Sequence, residues 1–266
     1  MGIHTHVYNY FAAQSESVNG NKKERSAQVS GKDLYEQLDK YYADTARELL
    51  LGAPDDDACL ICYLVAVFNR FRAGGFSTHR LLNYVNRHYV KRAIDEDKGW
   101  LRLNDIFDAV AKTIKEDDTR EHISKRLKER RTEVLVEWGY DGGGSAELLA
   151  QAEACAEAAS NLDCVVPLSS LALRRFRVEC IEPLLKVPKV NARSKKKRPP
   201  PTNGEKGVIP KGRLARAVKE LLEAQGGNEE ERRRIAVETA TMLKTVGVRA
   251  DHPLRKKLDK FVIATA

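Results

Sequence analysis

The chain has 266 residues, 42% of them apolar and 32% charged, with a mean hydropathy of −0.49. That is enough apolar material for a buried core, and it argues against a membrane-spanning chain, since the longest apolar run, Cys59 to Phe68, is half of the roughly 20 residues a span requires. The net charge of +8 is uneven: residues 187–266 hold 20 of the 46 Lys and Arg but 9 of the 38 Asp and Glu, so that segment carries +11 and the first 186 residues carry −3.

Ile3, Val7, Tyr10 and Phe11 recur at i, i+4, i+7 and i+8, which predicts a helix almost from the first residue. His4, His6 and Asn9 stand where a secretory leader would need a basic start and an apolar stretch, so no export signal is expected and a cytoplasmic or nuclear location follows. Polar residues from Gln14 to Lys32 predict a loop, disordered in part. Leu34, Leu38, Tyr41, Tyr42, Ala46, Leu49 and Leu50 restore the helical period, and Gly52-Ala53-Pro54 supplies its stop. A second helix is expected from Asp56 to Phe71, with Asp55 to Asp57 complementing the positive end of its dipole.

Gly74-Gly75 predicts a break, after which Ser77 or Thr78 caps a helix whose stripe Leu81, Leu82, Val85 and Tyr89 faces the core. Arg80, Tyr84, Arg87, His88 and Lys91 share the other side by the i, i+4, i+7 rule, leaving a cationic and aromatic face for water or a partner. The bland reading of that face is a solvated surface with Tyr84 packed inward.

Residues 104–138 predict more helix, with Ile106, Phe107, Val110, Ile114, Ile123, Leu127, Val134, Leu135 and Trp138 as the apolar series. Ser145 is placed to cap an alanine-rich helix from Ala146 to Ala159, and Leu168 to Leu185 predicts another, with Pro183 near its end. Residues 187–212, with Arg193, Lys195, Lys196, Lys197, Arg198 and three prolines, predict an extended basic linker. Residues 213–266 predict three amphipathic helices, on Leu214/Val218/Leu221/Leu222, Ile235/Thr239/Met242/Leu243 and Leu254/Leu258/Phe261/Val262, with Asn228 and Glu231 spaced as a capping box. No strand and no fixed-period repeat is expected, so the fold class is all-α.

Catalytic chemistry finds no support. The six histidines (His4, His6, His79, His88, His122, His252) form no His-Glu-x-x-His, no Ser or Cys lies in a nucleophile motif, and Gly142-Gly143-Gly144 lacks the Gly-Lys-Ser/Thr of a phosphate loop. The five cysteines are expected as free thiols, and Cys59 and Cys62 as buried core residues and not a zinc knuckle. No catalytic residue, metal ligand, cofactor or small-molecule substrate is assigned. Lys195-Lys196-Lys197-Arg198 fits nonspecific phosphate contact, a nuclear localisation signal or a self-repelling solvated linker.

Four collinear stretches carry a resemblance: Thr5-His6-Val7-Tyr8-Asn9-Tyr10; Asp33-Leu34-Tyr35-Glu36-Gln37-Leu38; Phe68-Asn69-Arg70-Phe71 through Tyr84-Val85-Asn86-Arg87-His88-Tyr89-Val90-Lys91-Arg92; and Ser170 to Arg177 with Glu182-Pro183-Leu184. Together they resemble the N-terminal, adaptor-binding repeat of a cullin over residues 1–186, with an apparent insertion at about 104–165. Nothing after Val187 resembles the cullin homology domain that holds a RING protein, and the helix that precedes the Thr-His-Val-Tyr motif in the family is not matched. The resemblance implies a scaffold for ubiquitin-dependent degradation that docks a Skp-type adaptor with its F-box proteins. The residues implied are His4, Thr5 and Tyr8 together with Tyr84, Arg87, His88 and Lys91.

Overall fold

The computed structural model describes residues 2, 5–6, 9–10, 31–115, 118–187, 212–224 and 228–264, and among these every regular element is a helix. Most of the loop expected from Gln14 to Lys32 and most of the basic linker, with Lys195, Lys196, Lys197 and Arg198, lie outside the described residues.

Helix α1 (Lys32–Leu51) stops at Gly52, and α2 (Asp57–Leu81) starts where Asp56 accepts a hydrogen bond from the Ala58 N–H at 3.0 Å. Helix α3 comprises Asn83–Val85, a π turn at Asn86–Val90 and Lys91–Asp95. The stretch expected to be helical over 104–138 divides into α4 (Leu103–Ala111) and α5 (Arg120–Val136), the second capped by Thr119. Ser145 caps α6 (Ala146–Ala159) as its position foretells. Helix α7 joins Leu168–Phe176, a second π turn at Arg177–Ile181 and Glu182–Leu185. The last three are α8 (Arg213–Glu223), α9 (Glu229–Thr245) and α10 (Pro253–Ala264), with Asn228 capping α9 through the Glu230 N–H.

Helix α2 is the central strut. It packs on α7, α8 and α9, while α7 also lies against α1 and α6. Leu60, Leu64, Phe68 and Phe71 meet Leu168, Leu171 and Phe176, and the Phe176 ring sits 5.4 Å from Phe68 and 5.3 Å from Phe71. Leu214, Val218, Leu243 and Leu258 of the last three helices belong to the same continuous core. Leu135, Trp138, Ala152, Cys155 and Ala156 form a smaller cluster between α5 and α6. By length and composition α2 is apolar enough to cross a membrane, more than its ten-residue apolar run suggests, yet here its apolar side is the heart of the core.

Two expectations are corrected. The chain does not break at Gly74-Gly75, because α2 continues to Leu81 and the Ser77 and Thr78 hydroxyls bond back to the carbonyls of Ala73 and Gly74 at 3.0 Å instead of capping. The glycine is there for packing: a Cβ on Gly75 would lie 2.8 Å from the Ala172 Cβ, so its absence lets α2 and α7 touch. Cys59 and Cys62 are exposed, since Leu60, Ile61, Leu64 and Val65 take the inner face of α2 and turn both thiols outward. At the other end of the fold, Gly247 (φ +86°) ends α9 and lies against the Ala159 backbone, which admits no side chain there.

Candidate functional site

The elbow between α2 and α3 is built by Asn86. Its amide nitrogen meets His79 Nδ1 at 3.2 Å, and its Oδ1 accepts from the Leu168 N–H at 3.1 Å, so one side chain ties α2, α3 and the start of α7 together. Burial holds the His79 imidazolium form down, which suits a neutral ring accepting from the Asn86 amide. The Lys91 N–H then bonds to the Asn86 carbonyl, an i→i+5 closure that makes the π turn.

Across this turn the inner side is fixed by Val85, Val90 and Ala93, all buried, and by Tyr89, whose ring lies 5.1 Å from Tyr35. Tyr35 is clamped in turn, its hydroxyl donating to the Val166 carbonyl and accepting from the Val166 N–H, both at 3.1 Å; burial pushes its pKa up to about 12. On the outer side Arg80, Arg87, His88 and Lys91 are exposed and Tyr84 is half-buried. Tyr84 and His88, one helical turn apart, stack with centroids 5.7 Å apart and planes 9° from parallel. The structure therefore joins Tyr84 to His88 and sets Arg87 and Lys91 on the same side of one rigid helix.

The first motif is described in part. Thr5 is exposed in a helical turn, with its N–H bonded to the Gly2 carbonyl at 2.9 Å, whereas His4 and Tyr8 lie outside the described residues. Tyr10 fastens this segment to the body: its ring packs on the core, and its hydroxyl donates to Asp33 at 2.5 Å at the start of α1.

Sequence reasoning missed Phe76, exposed at 57% on the approach to the elbow and stacked on His79 at 6.3 Å, and it turned Leu81 toward the core, where the structure instead leaves it 42% exposed. Reading a break at Gly74-Gly75 discards the signal that would have found Phe76. Continuing the period of Leu64, Phe68 and Phe71 through the glycines turns Gly75 inward and Phe76 outward.

Between α1 and α3 a cleft of about 710 Å³ is lined by Lys32, Glu36, Tyr89, Arg92, Lys98 and Arg174 among others. Its charges are largely consumed internally: Lys32 pairs with Glu36, Lys98 with Glu96 and Asp163 with Arg102. Arg174, buried, donates to the carbonyls of Cys164 and Asn161 at 2.7 and 2.8 Å. Burial pushes the Cys155 and Cys164 thiols up and that of Cys180 to about 12, so none of the three is a ready nucleophile near neutral pH. No group of three or more His, Cys, Asp or Glu suited to a metal ion occurs among the described residues.

The chain is similar to a cullin. Over 104 residues it is 33% identical to cullin-1 of Dictyostelium discoideum, a match that covers 37% of this chain and 14% of cullin-1. No protein-family model matches the chain, and no solved structure does.

Proposed function

We propose that this chain is a cullin-like, non-catalytic scaffold that docks a Skp-type adaptor, and through it F-box proteins of the ubiquitin-dependent degradation system, in the cytoplasm or nucleus. The observation that carries the reading is the outer face of α3, where a stacked tyrosine and histidine lie beside Arg87 and Lys91 on a helix whose inner side is locked. An aromatic anchor with a cationic rim suits a partner that is apolar at its centre and acidic around it, because ring burial supplies affinity while rim charges set orientation and encounter rate. Thr5, with His4 and Tyr8, extends that surface in this reading. The likeness to cullin-1 supports the class of partner, and the proposal covers adaptor docking alone.

A second reading assigns the positive charge of residues 187–266 to nucleic acid. Within α8, Arg213 and Arg216 are less available for phosphate, since both pair with Asp57 at 3.1 and 2.9 Å. Lys195, Lys196, Lys197 and Arg198 are the densest run of positive charge for this reading.

Titration calorimetry of the intact chain with a purified Skp-type adaptor tests the proposal, beside Tyr84→Ala/His88→Ala and Arg87→Glu/Lys91→Glu variants. The expected result is dissociation at roughly micromolar or tighter, weakened about tenfold or more in each variant. A folded chain that gives no binding heat overturns the reading, and steeply salt-dependent DNA binding would then favour the second one.

A further inference from the structure

A second cleft, of about 850 Å³, lies where α2, α6, α7 and α9 meet, and no residue of α3 lines it. Leu173 and Cys155, both buried, give it an apolar floor, with Ala154 and the exposed Ala73 and Phe76 around it. Two cations, Arg72 and Lys244, line it and no acidic residue does. Neither cation forms an ion pair with another described residue, in contrast to the cleft beside α1. Arg72, Lys244 and Arg255 all act on the Cys155 thiol against the effect of its burial, which places the floor in a positive field. Along the sides, the amides of Asn69 and Gln151 and the hydroxyls of Ser169, Thr241 and Thr245 supply donors and acceptors in number.

We propose that this cleft binds an acidic peptide segment through one apolar side chain on the floor and one or two carboxylates on Arg72 and Lys244. Charge complementarity selects the acidic partner. The choice of a peptide over a fatty acid rests on the polar walls: an aliphatic chain gives the exposed Asn69, Gln151 and Thr241 side chains nothing in place of water, whereas a main chain offers them an N–H and a C=O at each residue. Both α6 and α9 are needed to form the site, so the stretch from 104 to 165 and the last three helices acquire a shared purpose that the α3 face does not give them.

The test pans a random heptapeptide display library against the intact chain, then measures fluorescein-labelled synthetic versions of the enriched peptides by anisotropy. Two variants accompany it, Arg72→Glu/Lys244→Glu to reverse the charge and Ala73→Trp to obstruct the apolar side of the cleft, each checked by far-UV circular dichroism and thermal unfolding. The expected outcome is enrichment of sequences combining Asp or Glu with Leu or Phe, bound about tenfold or more weakly by each folded variant. No enrichment, enriched peptides that bind both variants as well as the parent, or decanoate binding through Arg72 and Lys244 where acidic peptides do not, would overturn it. None of these outcomes depends on the adaptor, so failure here is separable from failure of the α3 reading.

Discussion

Two adjacent glycines give an internal control on the central packing of the molecule. Gly74 is exposed and a Cβ there meets nothing within 4 Å, whereas a Cβ at Gly75 would lie 2.8 Å from the rigid Cβ of Ala172. Both sit inside α2, so replacing either by alanine gains about 1 kcal/mol of helix propensity. That shared gain cancels when the two variants are compared, leaving only the cost of pushing α2 and α7 apart, about 1–3 kcal/mol for overpacking a tight contact. Gly74→Ala should therefore stabilise by up to about 1 kcal/mol, and Gly75→Ala should range from neutral to about 2 kcal/mol destabilising. Urea unfolding followed at 222 nm reads both as shifts in midpoint at constant slope. Swapping the pair, Gly75→Ala with Ala172→Gly, should recover part of the loss, because the residues share one contact. Equal stabilisation by the two single variants would refute the close approach of α2 and α7, and destabilisation by Gly74→Ala would refute the continuous helix.

Two further outcomes are expected. Glu157 accepts from the Ser170 hydroxyl at 2.5 Å between α6 and α7, and burial raises its pKa from 4.5 to about 7, with Glu153 adding to the rise and Arg174 opposing it. The folded carboxyl thus keeps its proton up to about pH 7 while the unfolded one loses it near 4.5, so stability falls as pH rises across that interval and levels off above it. Glu157→Gln should remove this slope and be the more stable protein at pH 8, by on the order of 2–3 kcal/mol, in unfolding titrations from pH 4.5 to 8; a slope unchanged in the variant would refute the assignment. Leu214 of α8 is fully buried in the common core, so Leu214→Ala should cost about 2–5 kcal/mol and lower hydrogen-exchange protection in α2 as well as in α8. Loss confined to residues 213–264 would refute a core shared by α2 and the last three helices.

The helical period carried most of the fold. Leu34, Leu38, Tyr42 and Ala46 of α1 and the stripes of α8 to α10 turn inward or pack on the core where the 3.6-residue spacing places them, while Tyr41 of the α1 series is 61% exposed. What failed was local punctuation. Gly-Gly inside a helix has a propensity cost that reads as a stop, and only the neighbouring helix supplies the reason for keeping it. Cys59 and Cys62 failed for a related reason. In a run that is apolar on nearly every position, periodicity does not tell inside from outside, and the partners α7, α8 and α9 decide which face is covered.

The candidate site shows the same division in finer grain. Tyr84, Arg87, His88 and Lys91 were read as one face, and the structure stacks Tyr84 on His88 and leaves Arg87, His88 and Lys91 exposed. On the inner side Leu82 and Val85 were legible, whereas Leu81, expected to face the core, is exposed. A regular helix would next bury Tyr89, four residues on from Val85, but the π turn inserts one residue and shifts the register by about 100°, so Val90 and Ala93 take the core positions and Tyr89 slides to the edge against Tyr35. The cause is the Asn86 side chain, pinned to His79 on one side and to the Leu168 N–H, 82 residues along the chain, on the other. No local pattern announces a constraint of that range. It is nonetheless this constraint that sets which way the Tyr84 and His88 pair faces, so the orientation of the proposed docking surface depends on a contact with α7 that the spacing of its own residues does not contain.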